Sequence, residues 1–303
     1  MSRFNFADAQ ANGMTNFEIS KTLLKIAKSD LKASKLLYTH GCYSQSIFSL
    51  QQATEKGNKA LAFYGDFLTL PKAKSVGHIQ SKLVKEILRQ HLIEVEQSTA
   101  VEPTVPNFFG ILREFNFDFS AYQAQIAKIH DDLNWMNNET ELSNLTAVRL
   151  DKFISLIDSI YSISDHLGKG KLFVGIQSYI LEFLNKLRQS EEIGSGGTSF
   201  LNQELEMDET EISKLFALIL VKAINVGQSA ASLAILGFIF DRLISKVRYP
   251  EVQEHFYFDP TKVFNKKLPL IKKLPEFHFL VNRSLREIDK QINLSGNPPG
   301  APE

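Results

Sequence analysis

Apolar residues recur every three or four positions through most of this chain, and the polar residues between them mark out amphipathic helices. The first begins at Thr15-Asn16-Phe17-Glu18, where Thr15 can cap the free amides and Glu18 can reach back to it. Leu24, Ala27, Leu31 and Tyr38 fall on one face, Lys21, Lys25, Lys28, Lys32 and Lys35 on another, and Gly41 stops the helix. A second helix runs to Gly65. The stretch "DFLTLPKAKSVG", residues 66–77, predicts a connector broken by Pro71 and Gly77. A third helix follows from about residue 79, with Leu83 and Ile87 in register and Val84, Leu88, Leu92 and Val95 beside them.

Beyond Pro103 the pattern changes. Phe115, Phe117 and Phe119 alternate with Asn116 and Asp118, an extended period of two, and no other region looks like a strand. Further amphipathic helices are expected over 121–137, 146–165 and 171–189, and "GSGGTS", residues 194–199, is a loop. A long helix from about 210 to 247 ends at "RYPE", because Pro250 cannot continue it. Its stretch 215–240 is long enough to cross a bilayer, but Lys222, Asn225 and Gln228 mark a polar edge, so a buried helix of a bundle is expected. The tail "LSGNPPGAPE" is expected to be disordered. The fold class is therefore all-α.

The second helix breaks the usual rule. Gln52, Glu55, Lys56 and Lys59 follow the i, i+3, i+4, i+7 spacing normally reserved for a core-facing stripe. Two readings are open: a polar strip lining a groove, or surface decoration in which Glu55 and Lys59 form an ordinary i, i+4 pair. Composition does not decide between them. With 34 basic and 34 acidic residues in 303, the whole protein has no electrostatic pull toward nucleic acid or anionic lipid, so any basic site must be local. A single cysteine, Cys42, excludes internal disulfides and suits a reducing cytosol, and the N-terminus has no signal-peptide pattern, so a cytoplasmic location is expected.

Residues 29–61, "SDLKASKLLYTHGCYSQSIFSLQQATEKGNKAL", resemble the first two helices of a HEPN domain: Asp30 and Ala33 in the leading helix, a turn through Gly41 and Tyr43, then Gln52, Ala53, Glu55, Lys56, Lys59 and Ala60. "GHIQSKL", with His78, resembles the start of that family's third helix, and "RYPE" resembles the segment closing the fourth. The resemblance implies an up-and-down helical bundle with a large helical insertion: helices 1–3 over 16–100, an insertion over 101–205, closing helices over 206–260, and a basic segment, helix and tail over 261–303. It also implies that Gln52, Glu55, Lys56, Lys59 and His78 face a groove that meets a nucleotide, an RNA or a protein partner. A nucleotidyltransferase of a toxin–antitoxin or defence system is the implied partner type, and a homodimer the implied assembly.

Ribonucleases of that family carry an Arg-x4-6-His motif, and this chain has Arg248, six residues, then His255. In such an enzyme Arg would neutralise the phosphate and His move a proton at the ribose 2′-hydroxyl, without a metal. Alternatively Arg248 caps the end of the long helix. Other candidates are "KKLPLIKKLP", residues 266–275, as a loop packed by its Leu and Ile or a grip on an anionic partner, and the Phe115–Phe119 ladder as a loop anchor or base-stacking surface. The lysine face of the first helix is expected to be solvated. His130, Asp131 and Asp132 are metal-ligand types, but neighbours on a helix diverge by about 100° and cannot converge on one ion. With no Walker loop, Rossmann glycine pattern, nucleophile elbow or paired-His zinc motif, no cofactor is expected, and no membrane association.

Overall fold

The computed structural model describes residues 12–76, 82–84, 86, 145–167, 209–241, 243, 247, 251–253 and 256–296. Their elements are α1 (Asn16–Thr39), α2 (Tyr43–Tyr64), α3 (Leu70–Val76), α4 (Ala147–Leu167), α5 (Glu209–Asp241), β1 (Glu251–Gln253), β2 (Phe256–Phe258), α6 (Pro260–Val263) and α7 (Pro269–Gly296). The described residues are all-α apart from one short hairpin. It divides into two compact units, one of Met1–Ile154 with Ala230–Glu303 and one of Ser155–Ser229.

The first unit is built on α1, α2 and α7. The predicted capping box at the start of α1 is present: Thr15 N–H donates to Glu18 Oε2 at 2.8 Å, and Glu18 N–H to Thr15 Oγ1 at 3.3 Å. Gly41 takes φ 77°, a left-handed conformation that a side chain disfavours, and so turns the chain back into α2. The antiparallel pairing of the two helices is pinned by buried hydroxyls. Ser20 Oγ donates to Ala60 O at 2.7 Å, while Ser34 and Ser46 each donate to the other's carbonyl at 2.7 and 2.8 Å.

Against this pair lies α7. Leu270, Leu274, Phe277, Val281, Leu285, Ile288 and Ile292 are buried at the three- and four-residue spacing of one helix face. The basic stretch 266–275, read above as a loop, is in fact the entry to this helix: Pro269 opens it, and Pro275 lies inside it. Proline suits the first position, and the single bond lost at Pro275 is offset by the buried Leu274 and Phe277 beside it. The helix also continues to Gly296, so the first three residues of the expected disordered tail are helical.

The part of α5 from Ala230 onward supplies the fourth wall. Leu233, Leu236, Phe238, Ile239 and Phe240 are buried, Phe240 stacks edge-on against Phe277, and Ser284 Oγ donates to Ser232 Oγ at 3.1 Å. Gly57 makes the approach to α2 close enough: a Cβ there would meet Leu285 Cδ2 at 2.7 Å and Leu233 Cδ1 at 3.0 Å. Asn58 Nδ2 then donates to the Leu233 carbonyl at 3.1 Å. No helix is long and apolar enough to cross a membrane among the described residues.

Two local expectations change. The connector 66–77 contains the helix α3, since Pro71 sits in its first turn, where a missing N–H costs nothing. Strand structure occurs where no extended pattern was expected, at 251–253 and 256–258: β1 and β2 pair antiparallel with Val252 opposite Tyr257, residue types that favour extended backbone. In the second unit, Gln228 of the polar edge is buried, as expected of a bundle helix, and its side-chain atoms have no hydrogen-bond partner among the described residues. The 115–119 segment and the predicted helices 121–137 and 171–189 lie outside the described residues, whereas the helix expected at 146–165 is α4.

Candidate functional site

Helix α2 is buried on nearly every side, and much of what it buries is polar: Ser44, Ser46, Ser49, Gln51, Gln52, Thr54, Glu55, Asn58 and Lys59. The four residues singled out by spacing are brought together. Lys59 Nζ donates to Glu55 Oε1 at 2.8 Å, and Gln52 Nε2 donates to Glu55 Oε2 at 3.2 Å. Lys56 Nζ donates to Gln52 Oε1 at 3.1 Å and forms an ion pair with Asp30 of α1. The side chains of Lys59 and Glu55 are 5% and 4% exposed, so this is no surface decoration; Lys56, at 14%, is the more open edge of the strip.

Burial sets the energetics. An exposed pair contributes roughly 0–1 kcal/mol, but stripping one partner from a buried pair costs about 3–5 kcal/mol because a desolvated charge is left behind. The strip avoids that cost by alternation: two carboxylates, Asp30 and Glu55, are threaded between two ammonium groups, Lys56 and Lys59, with Gln52 bridging them. The Gln52 amide is oriented from both ends, because Glu55 requires its NH2 and Lys56 its oxygen. That orientation makes Gln52 donate to Gln51 Oε1 at 2.7 Å, and Gln51 Nε2, fully buried, is left with no acceptor among the described residues. A donor in that position is a place for an acceptor atom. The strip's formal charge sums to zero, which suits a group offering both donors and acceptors better than a bare phosphate.

His78, Arg248 and His255 lie outside the described residues, as do His130, Asp131 and Asp132. Among the described residues no three His, Cys, Asp or Glu side chains gather as a metal site would require. In the 266–275 stretch, Lys273 is engaged by Asp151 at 2.7 Å and Glu276 at 2.9 Å, and these partners raise its pKa.

One buried cluster was not foreseen. His278 of α7 places Nε2 2.7 Å from Ser34 Oγ, with Tyr38 packed edge-on to its ring. Ser34 and Ser46 each spend their hydroxyl proton on the other's carbonyl, so His278 must be the donor to Ser34. This direction is opposite to that of a serine activated by a histidine base, and the fully buried Ser34 is a structural group. Burial first, then the charge of Lys35, push the His278 pKa down to about 4, so the ring is neutral at physiological pH.

Residues 20–102 match the family model described as the HEPN domain. This segment is similar to a HEPN domain. No curated protein and no solved structure matches the chain. The HEPN segment contains α1 from Ser20, all of α2 and α3, and so the whole Asp30–Lys56–Gln52–Glu55–Lys59 network. It marks the chain in general terms as a nucleotide- or RNA-related module.

Proposed function

We propose that this HEPN-containing chain is a binding module whose α2 strip receives a nucleotide or an RNA nucleotide unit at the Lys56 edge. The observation that carries this reading is the Gln51–Gln52–Lys56 arrangement: a fixed amide, a buried donor without an acceptor among the described residues, and an ammonium at the open edge. Such a set pairs with the mixed donors and acceptors of a base and ribose. The HEPN match over the same helix supports it.

The test is calorimetric titration of the purified chain with ATP, UTP and short RNA. Wild type should bind at least one of them, and Gln52→Ala, which releases both neighbours of the amide, should bind it at least tenfold more weakly while keeping its helical circular dichroism. Equal binding by both proteins would remove the strip as the site. In this reading the chain acts in the cytoplasm as a homodimer and as the helical partner of a nucleotidyltransferase in a toxin–antitoxin or defence system. Co-purification of a tagged copy with the product of the adjacent gene tests that assignment.

The spacing Arg248-x6-His255 favours a second reading, metal-independent ribonuclease activity. Arg248 would then hold the phosphate and His255 transfer the proton, giving a cyclic phosphate product in EDTA.

A further inference from the structure

The neutral strip on α2 leaves open where a polyanion would bind, and α1 carries a surface of the required sign. Lys21, Lys25, Lys28, Lys32 and Lys35 fall within an arc of about 80° at 100° per residue, a straight ridge about 21 Å long. Four of them are exposed and Lys28 is half-buried. From Lys21 to the end of α1 the only acidic residue is Asp30, which is buried and held by Lys56. Lys28 pairs with Asp289 of α7 at 2.7 Å, while Lys25, Lys32 and Lys35 form no ion pair among the described residues.

The far bank of this ridge is α7. His278 and Asp289 fix that helix against α1, through Ser34 and Lys28 respectively. Phe279 and Arg286, seven residues apart and therefore on one face, follow His278 and precede Asp289. Both are exposed, and Phe279 is 62% exposed although it is a large apolar ring in the interior of a well-packed helix. Lysines in a row beside an uncovered aromatic are what an extended single strand requires: ammonium groups track the phosphates and a ring stacks on a base.

We propose that the α1–α7 seam is a binding track for a single-stranded nucleic acid, with Lys25, Lys32, Lys35 and Arg286 on its phosphates and Phe279 stacked on one base. A lipid surface would use the same lysines, but it calls for a row of apolar side chains between them, and along the ridge only Leu36 is apolar and exposed. The seam is a different surface from the α2 strip. Failure of nucleotide binding there leaves this proposal untouched, and the reverse also holds.

The experiment is fluorescence anisotropy of labelled 15-nucleotide oligo(U) and oligo(dT) with the full chain over 50 to 300 mM salt. Wild type should bind with a slope of log affinity against log salt of about −3, near −0.7 for each of some four released counterions. Lys25→Glu/Lys32→Glu should weaken binding at least tenfold and make the slope shallower. Phe279→Ala should weaken it about tenfold at unchanged slope, with Phe279→Trp retaining affinity, because stacking and not charge is removed. These positions are exposed, so unchanged circular dichroism is expected throughout. Absence of binding to both oligonucleotides at 50 mM salt, equal binding by the Glu variant, or equal affinity for an RNA duplex would overturn the proposal. Displacement of oligo(U) by phosphatidylserine vesicles, with Phe279→Ala losing vesicle binding, would reassign the seam to a membrane.

Discussion

Acidification should loosen the bundle through His278, and the size of the effect follows from its surroundings. In the unfolded chain the imidazole takes up a proton near its ordinary value of 6.5, whereas in the fold burial and Lys35 hold it down to about 4. Between these values the unfolded state binds more protons, so stability must fall as pH drops. The contribution is fully present above pH 6.5, declines through the window, and is gone by about pH 4. A displacement of this size corresponds to about 3 kcal/mol in all, of which about 2 kcal/mol is lost by pH 5.

That is a large part of the net stability of an ordinary domain. The sign is robust because both sides of the ring oppose a charge. Ser34 accepts the Nε2 proton in either state, so it gives no compensating preference, and the facing ionisable group on α1 is the cation Lys35. The assay is urea unfolding, followed by circular dichroism at pH 7.5, 6.0, 5.0 and 4.5, of wild type and His278→Gln. Glutamine keeps an N–H donor for Ser34 but does not titrate. Wild type should lose about 2 kcal/mol from pH 7.5 to 5 beyond whatever the variant loses. Parallel pH profiles for the two proteins would refute the argument, because the loss would then belong to other groups.

Other expectations are simpler to state. Gly57→Ala should destabilise by about 1–3 kcal/mol despite alanine's better helix propensity, since its methyl would strike Leu285 and Leu233; an unchanged urea midpoint would show that α5 and α7 give way freely. Asp30→Asn should cost about 1–3 kcal/mol by leaving Lys56 half-buried with Gln52 alone, and a loss within error would mean that the pair is solvated. Arg248→Ala and His255→Ala should each abolish cleavage of single-stranded RNA in EDTA by two or more orders of magnitude if the chain is a ribonuclease. No cleavage by wild type, or equal cleavage by all three, removes that reading. Sedimentation at micromolar concentration should show a dimer, and a strict monomer would remove the homodimer.

What could be read from the sequence was local. The Thr15–Glu18 capping box and the Gly41 turn are decided within a few residues, so pattern alone finds them. The spacing of Gln52, Glu55, Lys56 and Lys59 was equally visible, but its burial was not. Burial depends on α1 bringing Asp30 to Lys56 and on other helices enclosing α2, and no periodicity on α2 encodes that. The entry to α7 was misread for a related reason: Pro269, Pro275 and the lysine pairs are breaker and surface signals, and they outweighed the apolar series Leu270, Leu274, Phe277, Val281 that tertiary packing rewards. His278 sat unnoticed between Phe277 and Phe279, although a polar residue in the buried register of such a series is itself a signal of a partner across the interface.

These facts together separate two surfaces that the lysine-rich first helices would otherwise blur. The chain as a whole is neutral, but its neutrality is not uniform. On α2 every ammonium of the strip is matched by a carboxylate inside the protein, so the energy of attraction to an incoming phosphate is already spent internally. From Lys21 onward the outer face of α1 carries no acidic residue, because Asp30 is turned inward to serve the strip. One aspartate therefore does two things: it neutralises Lys56 in the interior and leaves α1 with no acid of its own beside Lys25, Lys32 and Lys35, while Lys28 is matched by Asp289 of α7. The proposed division, a strip that discriminates by hydrogen bonding and a ridge that attracts by charge, rests on that placement.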